Sequence, residues 1–173
     1  MIEITEEEPP DAAAIETLLD HAFGPDRFHK KSYGFRDGVD RIDALCLVAR
    51  DGDRVIGTIR YWPILIGESS APALLLGPVA IDAEYRRHGL GATLIRRSLA
   101  MAATAGHRTV ILVGDQAYYG RFGFRNAGEA GITMPLEDPA RVQVLDLTPD
   151  QATEDLADGA IRRWEPSALA AAA

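Results

Sequence analysis

Apolar residues recur along the chain at two alternating periods, and this pattern predicts strands and helices in turn. Ile2 to Thr5 reads as a short strand. Pro10 suits a helix start, and Ala13, Ile15, Leu18, Leu19 and Phe23 recur on one helical face until Gly24-Pro25 ends it. Residues 26–38 are polar and aromatic and have no period. Ala44 to Arg50 and Arg54 to Ile66 predict a strand pair, because Asp51-Gly52-Asp53 between them carries the Asp-Gly hairpin signal. Pro63 has no ladder donor and marks either a bulge or an unpaired position in the second strand.

Residues 72–82 form the most buried strand in prospect, interrupted by Gly77-Pro78. Two readings stand: a bulge that lets neighbouring strands diverge, or a strand boundary at Pro78. From Gly89 to Ala105 a helical plot puts Leu90, Leu94, Ile95 and Met101 on one face, with Gly91, Ser98, Ala102 and Ala105 between them and Gly106 as a stop. Thr109 to Val113, bounded by Gly106 and Gly114, reads as a buried strand. A helix between two such strands predicts a βαβ crossover with parallel pairing. Residues 131–134 and 141–147 predict two further strands around the turn at Glu137-Asp138-Pro139. Residues 158–164 predict a last strand or docking segment, and Ala170 to Ala173 an end without fixed structure.

The 173 residues are 47% hydrophobic and 25% charged, an ordinary globular mixture for one core and one domain over 1–173. Much of the net charge of −8 sits late: residues 137–158 hold seven acids against Arg141, within an acidic extension over about 136–173. That distribution argues against a broad basic face for nucleic acid. The acidic run serves either solvation or attraction of a cationic amine. No apolar run is long enough to span a membrane and no secretory pattern opens the chain, so no membrane association and a cytoplasmic location are expected. Cys46, the single cysteine, lies in an apolar run and reads as a small buried hydrophobe. His21, His29 and His107 lack metal-ligand spacing, so no metal is assigned.

The chemistry concentrates in Arg86-Arg87-His88-Gly89-Leu90-Gly91-Ala92, between a buried strand and an amphipathic helix. Glycines there let a phosphate approach the unpaired N–H groups of a first helical turn, where the macrodipole favours negative charge. A P-loop needs Lys and then Ser or Thr after its last glycine, where Ala92-Thr93 stands; a dinucleotide fingerprint needs a third small residue where Leu94 stands.

The remaining pattern, R-x-x-G-x-G, resembles the pyrophosphate loop of the GCN5-related N-acetyltransferases (GNAT). Val79-Ala80-Ile81-Asp82 resembles that family's central strand, and Tyr118 to Phe124 resembles its Y-x-x-x-G-F segment in the same order. The matches cover about residues 45–135, and the order Y-Y-x-R-F-G-F followed by the late tail is similar to bacterial acetyltransferases of the YhbS-like type. The resemblance implies an α/β chain of the α+β type, with a mixed, centrally splayed sheet flanked by helices. It implies transfer of acetyl from acetyl-CoA, as cosubstrate, to a primary amine of a small molecule or protein. The alternatives are O-acylation, a longer acyl group, or a CoA-binding sensor or interaction module without turnover.

The resemblance also implies the site. Backbone groups of Val79, Ala80 and Ile81 face the pantetheine arm, with an N–H there donating to the thioester oxygen. Arg86, Arg87, His88, Gly89, Leu90, Gly91 and Ala92 form the pyrophosphate loop, with Asp115 and Phe122 also placed against the cosubstrate. Arg86 and Arg87 alternatively read as solvated loop residues, and His88 needs only its backbone. Tyr119, four residues before Gly123, takes the family's place for protonating the departing sulfur, or else packs against the cosubstrate. Asp115 stands nearer to Tyr119 than the family's usual asparagine. Asp82, Glu84, Glu68 and His29 are weighed as bases and none is assigned. Acceptor recognition falls to residues 26–38 and the late strands, and the resemblance allows a homodimer.

Overall fold

The computed structural model describes residues 1–148 and 156–165. The chain runs through β1 (Ile2–Glu6), α1 (Ala12–Phe23), β2 (Leu47–Asp51), β3 (Arg54–Ile66) and β4 (Ala71–Ile81). It continues through α2 (Leu90–Thr104), β5 (Thr109–Val113), α3 (Gln116–Tyr119), β6 (Arg125–Asn126), β7 (Ile132–Thr133), β8 (Val142–Asp146) and β9 (Gly159–Arg163). The sheet order is β1-β2-β3-β4-β5-β8-β6, with β9 paired to both β3 and β7. Antiparallel pairs join consecutive neighbours from β1 to β4, whereas β4 and β5 are parallel because α2 returns the chain between them. This is the mixed sheet expected.

Strand β4 runs through Gly77-Pro78 without ending, so the bulge reading holds and the boundary at Pro78 does not. The register passes from Tyr61↔Leu76 to Ile59↔Val79, setting Gly77 and Pro78 together opposite Arg60. A two-against-one mismatch bends the strand that carries it. On its other side β4 meets β5 only at Leu74↔Val110 and Leu75↔Ile111, while β5 goes on to pair with β8 as far as Val113↔Val142. Beyond Leu75 the two central strands therefore diverge. Pro63 keeps register with Leu74 and lies between the part of β3 paired to β2 and the part paired to β9, which is the unpaired position rather than a bulge.

Alternation along the strands divides the core. Leu47, Ala49, Ile59, Tyr61, Leu74 and Leu76 pack with Leu90, Leu94, Ile95 and Leu99 of α2. The intervening Val48 and Ala80 pack with Ile15, Leu18 and Leu19 of α1. Leu99 is a core position that the helical plot did not name, and Ala105 is exposed just past the end of α2. The Tyr61 hydroxyl and the Ser98 hydroxyl bond each other at 2.9 Å, satisfying two buried polar groups. Arg60, also buried, donates to both oxygens of Glu7 at 2.7 and 2.8 Å and to Glu16 at 2.8 Å. Such pairing offsets the desolvation of the guanidinium.

Three expected strands change at their edges. The one expected from Ala44 starts at Leu47, because Asp43–Leu45 form a 3-10 turn closed by Cys46 N–H on Asp43 O. The one expected over 131–134 shrinks to β7, since a 3-10 turn at Ala127–Ala130, capped by Asn126, runs into Gly131 at φ 71°. Residues 158–164 do contain a strand, β9, which adds to β3 at Ile64, Leu65 and Ile66. Part of the acidic extension, 149–155, and Ala170 to Ala173 lie outside the described residues.

Candidate active site

The loop before α2 is built from the backbone outward. Asp82 accepts the Glu84 N–H at 3.0 Å and starts a 3-10 turn over Ala83–His88. Gly89 then takes φ 72°, a left-handed conformation that costs a β-carbon-bearing residue energy, and joins this turn to α2. Open space surrounds the position where a side chain at Gly89 would begin. The first-turn N–H groups of α2 thus face an approachable surface. Val79, Ala80, Ile81, Arg86, Arg87, Gly89, Gly91 and Ala92 all line one groove of about 570 Å³, together with Tyr118, Tyr119 and Arg121. Arg121, stacked 4.0 Å over the Tyr118 ring, is a cation of this groove that sequence reasoning missed.

Two members of the expected loop, His88 and Leu90, do not line the groove. His88 is exposed with its ring beside Tyr85, and the Leu90 side chain is buried in the core beneath α2. Asp115 caps α3 by accepting the Ala117 N–H at 2.9 Å, which accounts for its place so close to Tyr119. Phe122 lines neither this groove nor its neighbour. Its ring supports Tyr118 and Tyr119 and lies beneath Arg96.

Tyr119 sits where the groove meets a second cavity of about 580 Å³ and lines both. Its ring contacts Tyr118, Phe122 and Phe124 and rests on Gly114, whose missing side chain leaves the room it occupies. Burial first, and Tyr118 second, push its hydroxyl up to about 12, against the opposing pull of Arg141. The phenol is therefore protonated throughout the neutral range.

The second cavity collects residues from the aperiodic stretch, the bulge and the late chain. His29, Lys30, Tyr33 and Arg36 face Leu75 to Val79, Leu112 to Asp115, Glu137 and Arg141. The Arg36 guanidinium lies 4.5 Å from the Tyr33 ring centre and 5.2 Å from that of Trp62. Its burial lowers it to about 10. Sequence reasoning placed acceptor recognition in residues 26–38 and the late strands, which hold Lys30, Arg36 and Arg141, but gave none of the three that role; no spacing links the first two to Arg141. Of the acids weighed as bases, Asp82 and Glu84 both pair with Arg54, at 2.7 and 2.9 Å, and Glu68 lies in the turn before β4, away from the site. Among the described residues, no three His, Cys, Asp or Glu side chains group as metal ligands, and no helix is long and apolar enough to cross a membrane.

The family profile of the acetyltransferase (GNAT) domain matches residues 3–127. The N-acetyltransferase YhbS of Escherichia coli (strain K12) is 34% identical over 120 residues, spanning 69% of this chain and 71% of that protein. The crystal structure of the E. coli YhbS protein in complex with CoA superposes with a TM-score of 0.80 at 29% identity, covering 95% of this chain and 90% of that one. A GNAT family acetyltransferase from Brucella melitensis in complex with acetyl-CoA superposes with a TM-score of 0.69 at 30% identity, covering 98% of each chain.

Proposed function

Because this chain belongs to the acetyltransferase (GNAT) domain family, we propose that it moves the acetyl group of acetyl-CoA onto a primary amine by direct attack, all of residues 1–173 forming one acetyltransferase domain. The observation that carries this reading is the convergence of the anion loop, the strand divergence and Tyr119 on one continuous groove. The residues present fit acetyl-CoA. The open N–H groups from Gly89 to Ala92, with Arg86, Arg87 and Arg121, take the pyrophosphate. The edge of β4 left without a β5 partner over Val79 to Ile81 takes the pantetheine amides as an added strand.

When bound, acetyl-CoA supplies a thioester to the attacking amine. A backbone N–H of Val79 or Ile81 donates to the thioester oxygen as negative charge builds there. We assign the amine's proton to solvent in the second cavity, since Asp82 and Glu84 are held by Arg54. Tyr119 faces the departing sulfur. Its hydroxyl, at about 12, is a weaker acid than a thiol at about 8.5, so full proton transfer to the thiolate runs uphill. Tyr119 accordingly donates a hydrogen bond to the developing sulfur charge, and the proton that finally neutralises the thiolate comes from water.

The test is release of free thiol from acetyl-CoA in the presence of a panel of amines and alcohols, with the acetylated product identified by mass. Amine-dependent release supports the reading. Release with alcohols alone would make it an O-acetyltransferase, and saturable CoA binding without acceptor-dependent release a binding module.

A further inference from the structure

Four cations line the second cavity: Lys30, Lys31 and Arg36 from the aperiodic stretch, and Arg141 from the segment leading into β8. Their side chains form no ion pair among the described residues. Lys30 stacks 4.5 Å from the Phe23 ring centre, and its ammonium is depressed by burial and then by the charges of Arg141 and Arg36, so both guanidinium groups stand close enough to act on it. Glu137 offsets this only in part, and Asp115 spends a carboxylate oxygen on its helix cap.

Arg36 is the least exposed of these cations. The two fully buried arginines among the described residues are paired, Arg60 with Glu7 and Glu16, and Arg27 with Glu16 and Asp20. Arg36 has two aromatic neighbours instead, and its Nε is buried without a partner. A desolvated guanidinium without a carboxylate is costly unless something else supplies the anion. Its Nη2 lies 3.5 Å from the point where a side chain on Gly77 would begin, against the β4 bulge itself. An anion held there is next to the backbone of Val79.

We propose that the acceptor is a small amine bearing a carboxylate close to its amino group, of the amino-acid class, and that Arg36 binds this carboxylate with help from Lys30 and Arg141. This rests on the acetyl-transfer reading and names the substrate class for the same site. An in-plane guanidinium edge suits the two oxygens of a carboxylate, and the nearby ammonium and second guanidinium add charge without adding geometry. A short spacer between amine and carboxylate follows from the closeness of Arg36 to the bulge. Peptide amino termini, whose carboxylate has become an amide, are poor acceptors on this account.

The test compares the twenty standard amino acids with their C-terminal amides, and phosphoethanolamine with ethanolamine, as acceptors for wild type, Arg36→Met and Arg36→Lys. A charge-assisted contact of this kind predicts that free acids exceed amides in kcat/KM by about 10- to 100-fold. Arg36→Met removes that preference through KM and leaves acetyl-CoA affinity unchanged, while Arg36→Lys retains part of it. Amides that equal the free acids, or a preference that survives Arg36→Met, would overturn the proposal, as would loss of acetyl-CoA affinity in Arg36→Met. Phosphoethanolamine preferred over every amino acid would keep an anion site and overturn the carboxylate assignment. If no amine is acetylated, the acetyl-transfer reading fails on its own. Titration of N-acetyl amino acids and their amides into the CoA-loaded protein then decides: acids binding about tenfold tighter, dependent on Arg36, support the carboxylate site, and equal or absent binding refutes it.

Discussion

Adding one methyl group at Gly114 displaces the Tyr119 hydroxyl without deleting it. A side-chain carbon at Gly114 would lie 2.3 Å from Tyr119 Cε2 and 2.7 Å from its Cδ2. Non-bonded carbons settle about 3.5 to 4.0 Å apart, so the ring has to retreat by more than about 1 Å. Tyr118, Phe122 and Phe124 crowd its other sides, and the backbone of Gly114 needs no positive φ that alanine would resist. Strain in Gly114→Ala should therefore fall on the ring, with a stability loss of about 1 to 3 kcal/mol for the overpacking. A displacement near 1 Å at a reacting group costs on the order of 100-fold in rate. Single-turnover acetyl transfer in protein preloaded with acetyl-CoA reads that loss, and thermal unfolding verifies that the variant is folded. The double variant Gly114→Ala/Tyr119→Phe should be no slower than Tyr119→Phe alone, because the hydroxyl that the alanine displaces has already gone. A folded Gly114→Ala protein with a shifted ring and a wild-type rate would refute the role of Tyr119, and so would losses that simply multiply in the double variant.

Other outcomes follow from the same geometry. Tyr119→Phe removes a hydrogen bond to a charged sulfur and should slow transfer by about 10- to 100-fold. In wild type, a hydroxyl raised to about 12 loses its proton only as pH climbs through that value, so kcat should not fall between neutrality and pH ~10 on its account; a limb centred near the ordinary tyrosine value of about 10 would contradict this. Gly89→Val forces a β-branched residue to φ 72°, and Gly91→Val crowds the Tyr118 hydroxyl, which stands 3.4 Å from where that side chain would start. Calorimetry should find CoA binding weakened by about tenfold or more in each, and near-wild-type affinity in both folded variants would move the pyrophosphate elsewhere. Glu7→Gln leaves the buried Arg60 with Glu16 as its remaining carboxylate and should cost about 3 kcal/mol in denaturant unfolding, where a loss below about 1 kcal/mol would contradict the pairing.

What could be read from sequence was whatever the backbone writes locally. Gly77-Pro78 inside an apolar run announced the bulge, and the glycines at 89 and 91 announced a left-handed entry into an amphipathic helix, because each residue type limits its own backbone. The Y-x-x-x-G-F order singled out Tyr119, which the fold sets at the junction of two cavities that no sequence pattern shows. Gly114, by contrast, matters through a contact made across a helix turn, and no local pattern marks it. Lys30, Arg36 and Arg141 meet only because a run of 3-10 turns and the segment leading into β8 fold over the same end of β4. Arg60 looks like a polar intrusion in an apolar strand until Glu7, just after β1, and Glu16, on α1, pair with it.

The most direct measurement is a crystal structure of this protein with CoA. Pyrophosphate is expected on the N–H groups from Gly89 to Ala92, with pantetheine amides paired to β4 beyond Leu75 and the sulfur within about 3.5 Å of the Tyr119 hydroxyl. CoA bound outside the divergence between β4 and β5, or a sulfur turned away from Tyr119, would contradict this.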